Sequence, residues 1–199
     1  MTQQHARRFG RRLSDQAGFT LLEMIVVVGI MGTIAAMAIM VSPAFTRHAR
    51  ADGGTAQVLD ALRSARETAI SQRRNVEVVF IGLTAIQTRR IDIDAAGNQT
   101  GTTVLRTVEL ENDVQFRLQP DVPNTPDAFG AMAGPLTFTL TSPWMFTSEG
   151  SFVGGSGDVA NGTIFVSLAN QPTGARAVSV LGATALIRPW AWNGRAWVE

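Results

Sequence analysis

One acidic side chain constrains this 199-residue chain more than any other residue. Glu23 follows Gly18-Phe19-Thr20-Leu21-Leu22 and is the only charged group between Phe19 and Thr46. The 23 residues from Met24 to Thr46 carry no charge. At ~1.5 Å per residue, a helix over that run reaches about 34 Å, enough to cross a bilayer core with some tilt. An ionisable group inside a membrane helix is costly, and it is a functional-site hypothesis by default.

The residues before this run form a basic leader. Arg7, Arg8, Arg11 and Arg12 face one acid, Asp15, and the leader has no apolar core of its own. An ordinary secretory signal peptide places its apolar core before the cleavage site. Here the apolar core begins after Gly18, so a cut there leaves the hydrophobic helix on the mature chain. The four arginines predict a cytoplasmic N-terminus and an exported C-terminal domain.

Gly18, Phe19, Thr20, Leu21, Leu22 and Glu23, in this order, resemble the class III signal of type IV pilins and type II secretion pseudopilins. The resemblance implies that a prepilin peptidase cuts between Gly18 and Phe19 and methylates the new N-terminus at Phe19. It also implies a subunit-assembly role for Glu23, paired with the N-terminal ammonium of a neighbouring subunit. Opposite charges in low dielectric are each costly alone and far less so together, so such a pair would set the register between subunits. The bland reading is a plain anchor with a stray glutamate. The motif does not say which machine the chain serves.

Gly29 and Gly32 lie on one side of the anchor near Ala35 and Ala36. Small residues permit close helix–helix approach in lipid. Packing in a filament core and ordinary glycine tolerance both fit. Pro43, near the far end of the run, is a candidate kink.

The remaining chain has room for one exported domain of about 150 residues. Removing residues 1–18 takes away four of the 17 basic residues, all arginine, and one of the 16 acids, which leaves a net charge of −2. The pI near 8.9 therefore reflects the leader and is no sign of a nucleic-acid-binding domain. There is no cysteine, so disulfides and thiolate metal sites are excluded.

Beyond the anchor the spacing predicts a helix to about Arg50 and a break or soft hinge at Asp52-Gly53-Gly54, because two glycines cost roughly 2 kcal/mol against alanine. Thr55 caps a restart. Val58, Leu59, Leu62, Ala65, Ala69 and Ile70 then form one apolar stripe, with Arg63 and Glu67 four apart on the opposite side. Strands are predicted at 76–81, 85–93, 103–110, 114–118, 136–141, 163–168 and 175–181. Pro120 to Pro135 holds four prolines and two glycines and reads as a surface loop. Helices first and strands later indicate an α+β domain.

The run from Leu59 to Ile70, a short basic stretch and then a Val-rich strand are similar to the minor pseudopilin H family of type II secretion, which shares its domain with the FimT/FimU minor pilins. Phe146-Thr147-Ser148-Glu149-Gly150 resembles the Phe-x-x-x-Gly segment of that family. The resemblance implies two antiparallel sheets beside the long helix and a place at or near a filament tip.

Trp192-Asn193-Gly194-Arg195 predicts a two-residue type I′ hairpin. Trp192 then opposes Arg195, Trp190 opposes Trp197 and Arg188 opposes Glu199, all on one face. Pro189 on the other face marks an exposed edge, since it offers no ladder N–H. Three readings stand open. The hairpin is purely structural, locked by cross-strand aromatic and cation–π contacts. It is a partner-protein interface. Or it stacks single-stranded nucleic acid. Glu199 and the acid-leaning mature charge argue against the last, and only Arg176, Arg188 and Arg195 would support it.

No active site is legible. His5 lies in the leader and His48 stands between Arg47 and Arg50 beside the membrane, so no Ser/His/Asp set assembles on the exported domain. The Gly154-Gly155-Ser156-Gly157-Asp158 loop lacks the Lys and helix of a phosphate loop. Asp158 alone is far short of a calcium site. Asp92 and Asp94 share a strand face and read as a solvated edge before a metal pair. No cofactor and no metal are expected.

The sequence thus divides into a leader at 1–18, a transmembrane assembly helix at 19–46 and an exported periplasmic domain at 47–199. It is expected to be a non-enzymatic subunit, single-pass in a bacterial inner membrane. Its expected partners are prepilin peptidase and other major and minor pseudopilins of a periplasmic pseudopilus. The alternative is a FimT/FimU-like minor pilin of a type IV pilus, serving assembly, adhesion or DNA uptake.

Overall fold

The computed structural model describes residues 19–111, 113–168 and 174–199, with the side chains of 38–46 left outside that description. The chain divides into two units, Met1–Pro43 and Ala44–Glu199. Helix α1 is Leu21–Gln72 and contributes to both.

In the first unit α1 is apolar all round. Leu21, Ile25, Val28, Met31, Ile34 and Met37 are all exposed, with Met37 at 69%. Among the described residues no helix is long and apolar enough to cross a membrane. The expected span at 24–46 includes residues 38–46, and the candidate kink at Pro43 falls there too, outside the described side chains.

In the second unit the predicted break at Asp52-Gly53-Gly54 is absent, and α1 runs through it. Gly54 is a close-approach residue. A Cβ placed on it would fall 2.6 Å from Val114 Cγ1, so the missing side chain lets the helix backbone sit on the strand Val114–Phe116. Thr55 is not a cap. It is buried, and its hydroxyl donates to Ala51 O at 2.8 Å, one turn back. The apolar stripe is confirmed at Val58, Leu62, Ala65 and Ala69, all buried. Ile70 departs from it and is 45% exposed. Arg63 and Glu67 face solvent as expected, yet they form no ion pair among the described residues.

Among the described residues eleven strands follow. The first sheet has the order β3-β2-β1-β6-β7, built from β1 (Val76–Ile81), β2 (Ala85–Ile93), β3 (Gln99–Glu109), β6 (Trp144–Phe146) and β7 (Phe152–Val153). The second has the order β11-β10-β9-β8-β4, with β4 (Val114–Phe116), β8 (Gly162–Leu168), β9 (Arg176–Leu181), β10 (Leu186–Trp192) and β11 (Trp197–Val198). The short β5 (Leu136–Phe138) also pairs with β8. All pairings are antiparallel. This is the expected α+β class, a helix packed on two antiparallel sheets.

One core joins α1 to both sheets. It runs from Val58, Leu62 and Ala65 to Val76, Val78, Ile86, Phe146 and Phe152 of the first sheet and Val114, Phe116, Ile164, Val166 and Val178 of the second. The second sheet is buried on its other face as well, which is why every residue of β8 is buried. There a second cluster gathers Phe165, Ala177, Trp190, Trp192 and Trp197 under Val122, Leu118 and Met132. The Pro120–Pro135 segment is irregular, as its composition requires, but it covers a sheet. Strands β6 and β7 lie outside the expected strands; they are three and two residues long, too short for a period to show, with Pro143 before β6 and Gly154 after β7.

Candidate functional site

Of the predicted processing and assembly residues, Gly18 lies outside the described residues. Phe19 is 72% exposed, and α1 starts two residues later. The Glu23 N–H donates to Thr20 Oγ1 at 3.2 Å, and the Met24 N–H to Thr20 O at 3.2 Å. Thr20 is therefore the N-cap, and Glu23 is the third residue of the helix. Its sequence signal is Thr20-x-x-Glu23, the spacing of a capping box. A carboxylate there is favoured by the positive end of the helix dipole. The charge is thus eased by the backbone on one side while its carboxylate remains available to a partner.

The C-terminal hairpin differs from expectation in register and in exposure. Trp192 pairs with Trp197 and Ala191 with Val198, two residues out from the predicted pairing. The loop is Asn193 to Ala196. Asn193 Oδ1 accepts the N–H groups of Arg195 (2.9 Å) and Ala196 (2.8 Å), so the asparagine closes a four-residue turn in place of a type I′ pair. A shift of two preserves the faces, so the tryptophans still share one. That face points inward. Trp190, Trp192 and Trp197 are each less than 10% exposed. Trp192 and Trp197 pack against each other with ring centroids 5.5 Å apart and planes tilted by 60°. Both outer indoles are satisfied: Trp197 Nε1 donates to Pro123 O (2.8 Å) and Trp190 Nε1 to Ser179 Oγ (3.0 Å).

The arginines are spoken for in the same way. Arg188 does not oppose Glu199. Its Nη1 lies 3.2 Å from Asp127 Oδ1, in the covering loop, and the Ser179 hydroxyl donates to Asp127 Oδ2. Arg176 is buried, with Nε 2.7 Å from Asp52 Oδ1 on α1, Nη1 donating to Ala175 O, and Nη2 3.5 Å from His48 Nδ1. His48 is exposed, as its place in the sequence suggests, with its Nδ1 side toward Arg176. Only Arg195 of the three stands exposed without an ion pair among the described residues. Pro189 is half-buried on β10, which lies between β9 and β11, so it does not mark an exposed edge strand; only its missing ladder N–H is as expected. The Trp192 N–H donates to Ala175 O, so by ladder alternation position 189 turns its backbone nitrogen away from β9, past the end of β11.

The Phe146–Gly150 segment docks on the end of α1. Phe146 is fully buried, and Gly150 has φ +87°, a conformation that favours glycine. Arg66 Nε donates to Gly150 O at 3.2 Å. Asp92 and Asp94 do not make a pair. Asp92 accepts from Thr103 Oγ1 (2.6 Å) and Arg90 Nε (2.8 Å), and these bonds hold its carboxyl below the usual range. Asp94 accepts the N–H groups of Asn98 and Ala96 in the β2–β3 turn, which lowers it likewise. Among the described residues no three His, Asp or Glu side chains gather as a metal site.

The model of the prokaryotic N-terminal methylation motif matches residues 13–39. That span includes Gly18, Phe19 and Glu23. Among solved structures, the chain is similar to the minor pseudopilin EpsH from the Type 2 Secretion System of Vibrio cholerae, at 14% identity and TM-score 0.45, covering 71% of this chain and 97% of that one. It is also similar to the type IV minor pilin FimU of Pseudomonas aeruginosa in two crystal forms. These give 16% identity and TM-score 0.40 over 71% of this chain and 90% of that one, and 14% and 0.43 over 78% and 95%. Overlaps of this size leave the functional reading to the residues themselves.

Proposed function

We propose that this chain is a minor pseudopilin of a type II secretion system, a structural subunit at or near the tip of a periplasmic pseudopilus that supports protein export. The observation that carries the reading is the apolar start of α1, exposed all round, with Glu23 in its first turn inside the methylation-motif match. A helix with no polar face is stable only in lipid or against other apolar helices. Prepilin peptidase would cut between Gly18 and Phe19 and methylate Phe19. The helix at 19–46 would hold the chain in the inner membrane until Glu23 pairs with a neighbour's N-terminal ammonium. The domain at 47–199 would stand in the periplasm and touch other pseudopilins.

A FimT/FimU-like minor pilin of a type IV pilus uses the same N-terminal residues and is the second reading. Its DNA-uptake version is disfavoured by the covered tryptophans and by the ion pairs of Arg176 and Arg188.

Deleting the gene in its host tests the reading. Loss of secreted proteins from the medium with surface pili intact supports a pseudopilin. Loss of pili with secretion intact replaces it by the minor pilin. Mass spectrometry of the chain from membranes is expected to show N-methylated Phe19 as the first residue.

A further inference from the structure

A groove of about 510 Å³ lies in the Ala44–Glu199 unit, between the last turns of α1 and the start of β10. Small-molecule sites have this size, a mostly apolar lining and a few polar groups. The floor here is aliphatic. Ala185 and Ile187 are buried in it, while Ile70 and Leu186 are 45% and 43% exposed. The Phe146–Gly150 turn leans on one side, since a Cβ on Gly150 would fall 3.0 Å from Ile70 Cδ1. The cations gather at one end. Arg63 and Arg66 are three apart on α1 and are neighbours on its surface. Arg66 is oriented by its Nε, which donates to Gly150 O at 3.2 Å, and its terminal nitrogens make no hydrogen bond among the described residues. Arg63 makes no ion pair there either, although Glu67 is one turn away. Two guanidiniums against one carboxylate leave the rim cationic. Ile70 lies seven residues beyond Arg63, about 10 Å along the axis.

We infer that this groove binds a carboxylate with a single acyl-type tail, a free fatty-acid-like amphiphile. The head lies between Arg63 and Arg66, where a guanidinium fork offers a carboxylate two parallel donors. The tail runs past Ile70 and Leu186 over Ile187 and takes the two exposed aliphatic side chains out of water. A neutral amphiphile covers the same floor but leaves both forks unpaired, and a cationic one is opposed by two arginines. Bilayer lipid is not the source. Arg63 is seventeen residues past Thr46 on the same helix, about 25 Å along its axis, and Ile70 is further still. A chain anchored by its apolar run holds the groove clear of the bilayer, so the ligand is one dissolved in the surrounding water. That last step rests on the membrane-anchored reading; the chemistry of the groove does not.

Photolabelling tests it. Full-length chain in phosphatidylcholine nanodiscs is irradiated with a dodecanoate that carries a diazirine in its tail, and the labelled peptides are identified by mass spectrometry. Label is expected on residues 63–71 and 185–187, besides the run at 19–46 that a lipid-dissolved probe reaches. Excess dodecanoate should remove the groove label, and dodecanol at the same concentration should leave it. Arg63→Glu should lower the groove label about tenfold by replacing a charge-assisted donor with a like charge. Leu186→Asp should lower it as well by breaking the apolar floor. Label confined to 19–46, equal competition by dodecanol, or an Arg63→Glu chain labelled like the parent each overturns the site. So does groove label that appears in nanodiscs and is missing from membranes of the host, because another protein then covers the groove. Label on 19–46 reads the anchoring separately, so failure of the site is distinguished from failure of the anchored reading. Both substitutions are at exposed positions, and limited proteolysis verifies that each variant is folded.

Discussion

Arg176 Nε lies 2.7 Å from Asp52 Oδ1, and this one pair ties the middle of the second sheet to α1. The two partners are unequal. The Arg176 side chain is 7% exposed and that of Asp52 is 62%. Water screens the acid, while the arginine depends on it, on Ala175 O and on His48 for its hydrogen bonds.

Asp52→Asn is therefore expected to cost only about 1 kcal/mol, since half of the pair is solvated. Arg176→Ala should cost more, about 2–3 kcal/mol, because it also removes buried aliphatic packing and an arginine bond to a carbonyl. Urea unfolding in detergent, followed by tryptophan fluorescence, measures both. Equal costs would show that packing around Arg176 contributes nothing.

Neighbouring glycines should respond with opposite signs. Gly53→Ala meets nothing within 4 Å and should stabilise the helix by about 0.5–1 kcal/mol. Gly54→Ala drives a methyl into buried Val114 and should destabilise by about 1–3 kcal/mol despite the same propensity gain. Thermal unfolding of the two variants side by side decides it. Stabilisation by both would mean the helix does not rest on β4.

The β2–β3 turn should loosen in acid. The backbone bonds from Asn98, then that residue's side chain, hold the Asp94 carboxyl below its ordinary range. A carboxyl lowered on folding contributes stability that is fully present above its unfolded pKa and is lost as pH falls through the folded one. Amide exchange at Ala96 and Asn98 should therefore accelerate only on the acid side of the usual carboxylate range. In Asp94→Ala, exchange should be fast at every pH; protection kept in that variant would place the turn's hold elsewhere.

The charge and the helix-starting role of this N-terminus are separable. Glu23→Gln keeps the N–H to Thr20 bond and removes only the charge, whereas Thr20→Ala removes the cap at about 1 kcal/mol. If the carboxylate docks on a neighbour's ammonium, Glu23→Gln fails to co-assemble with partner subunits while Thr20→Ala succeeds. Co-purification with the other pilin-like subunits is the readout. The reverse result would make Glu23 a helix-start residue and nothing more.

Periodicity carried the fold wherever an element was long. Val58, Leu62, Ala65 and Ala69 announced their buried face, and β-rich composition between turn signals was enough to place β1 and β2. It failed where a neighbour distant in sequence decided the outcome. Glycines 53 and 54 read as a break because propensity is counted along the chain, while the reason for Gly54 is Val114, sixty residues away. The hairpin turn followed an asparagine side chain that captured two N–H groups, which the dipeptide Asn-Gly does not reveal.

The sequence alone exposed the N-terminal feature, a lone carboxylate after Gly-Phe-Thr-Leu-Leu in an apolar run, because charge and hydropathy are read residue by residue. It also determined the α+β class and the shared face of Trp190, Trp192 and Trp197, both consequences of local period. Only the tertiary structure decided that this face looks inward. Burial depends on what lies across a sheet, and here an irregular, proline-rich segment supplies the cover. The same long-range packing drew Arg176 down to Asp52 and Arg188 to Asp127, and so engaged two of the three arginines near the C-terminal end.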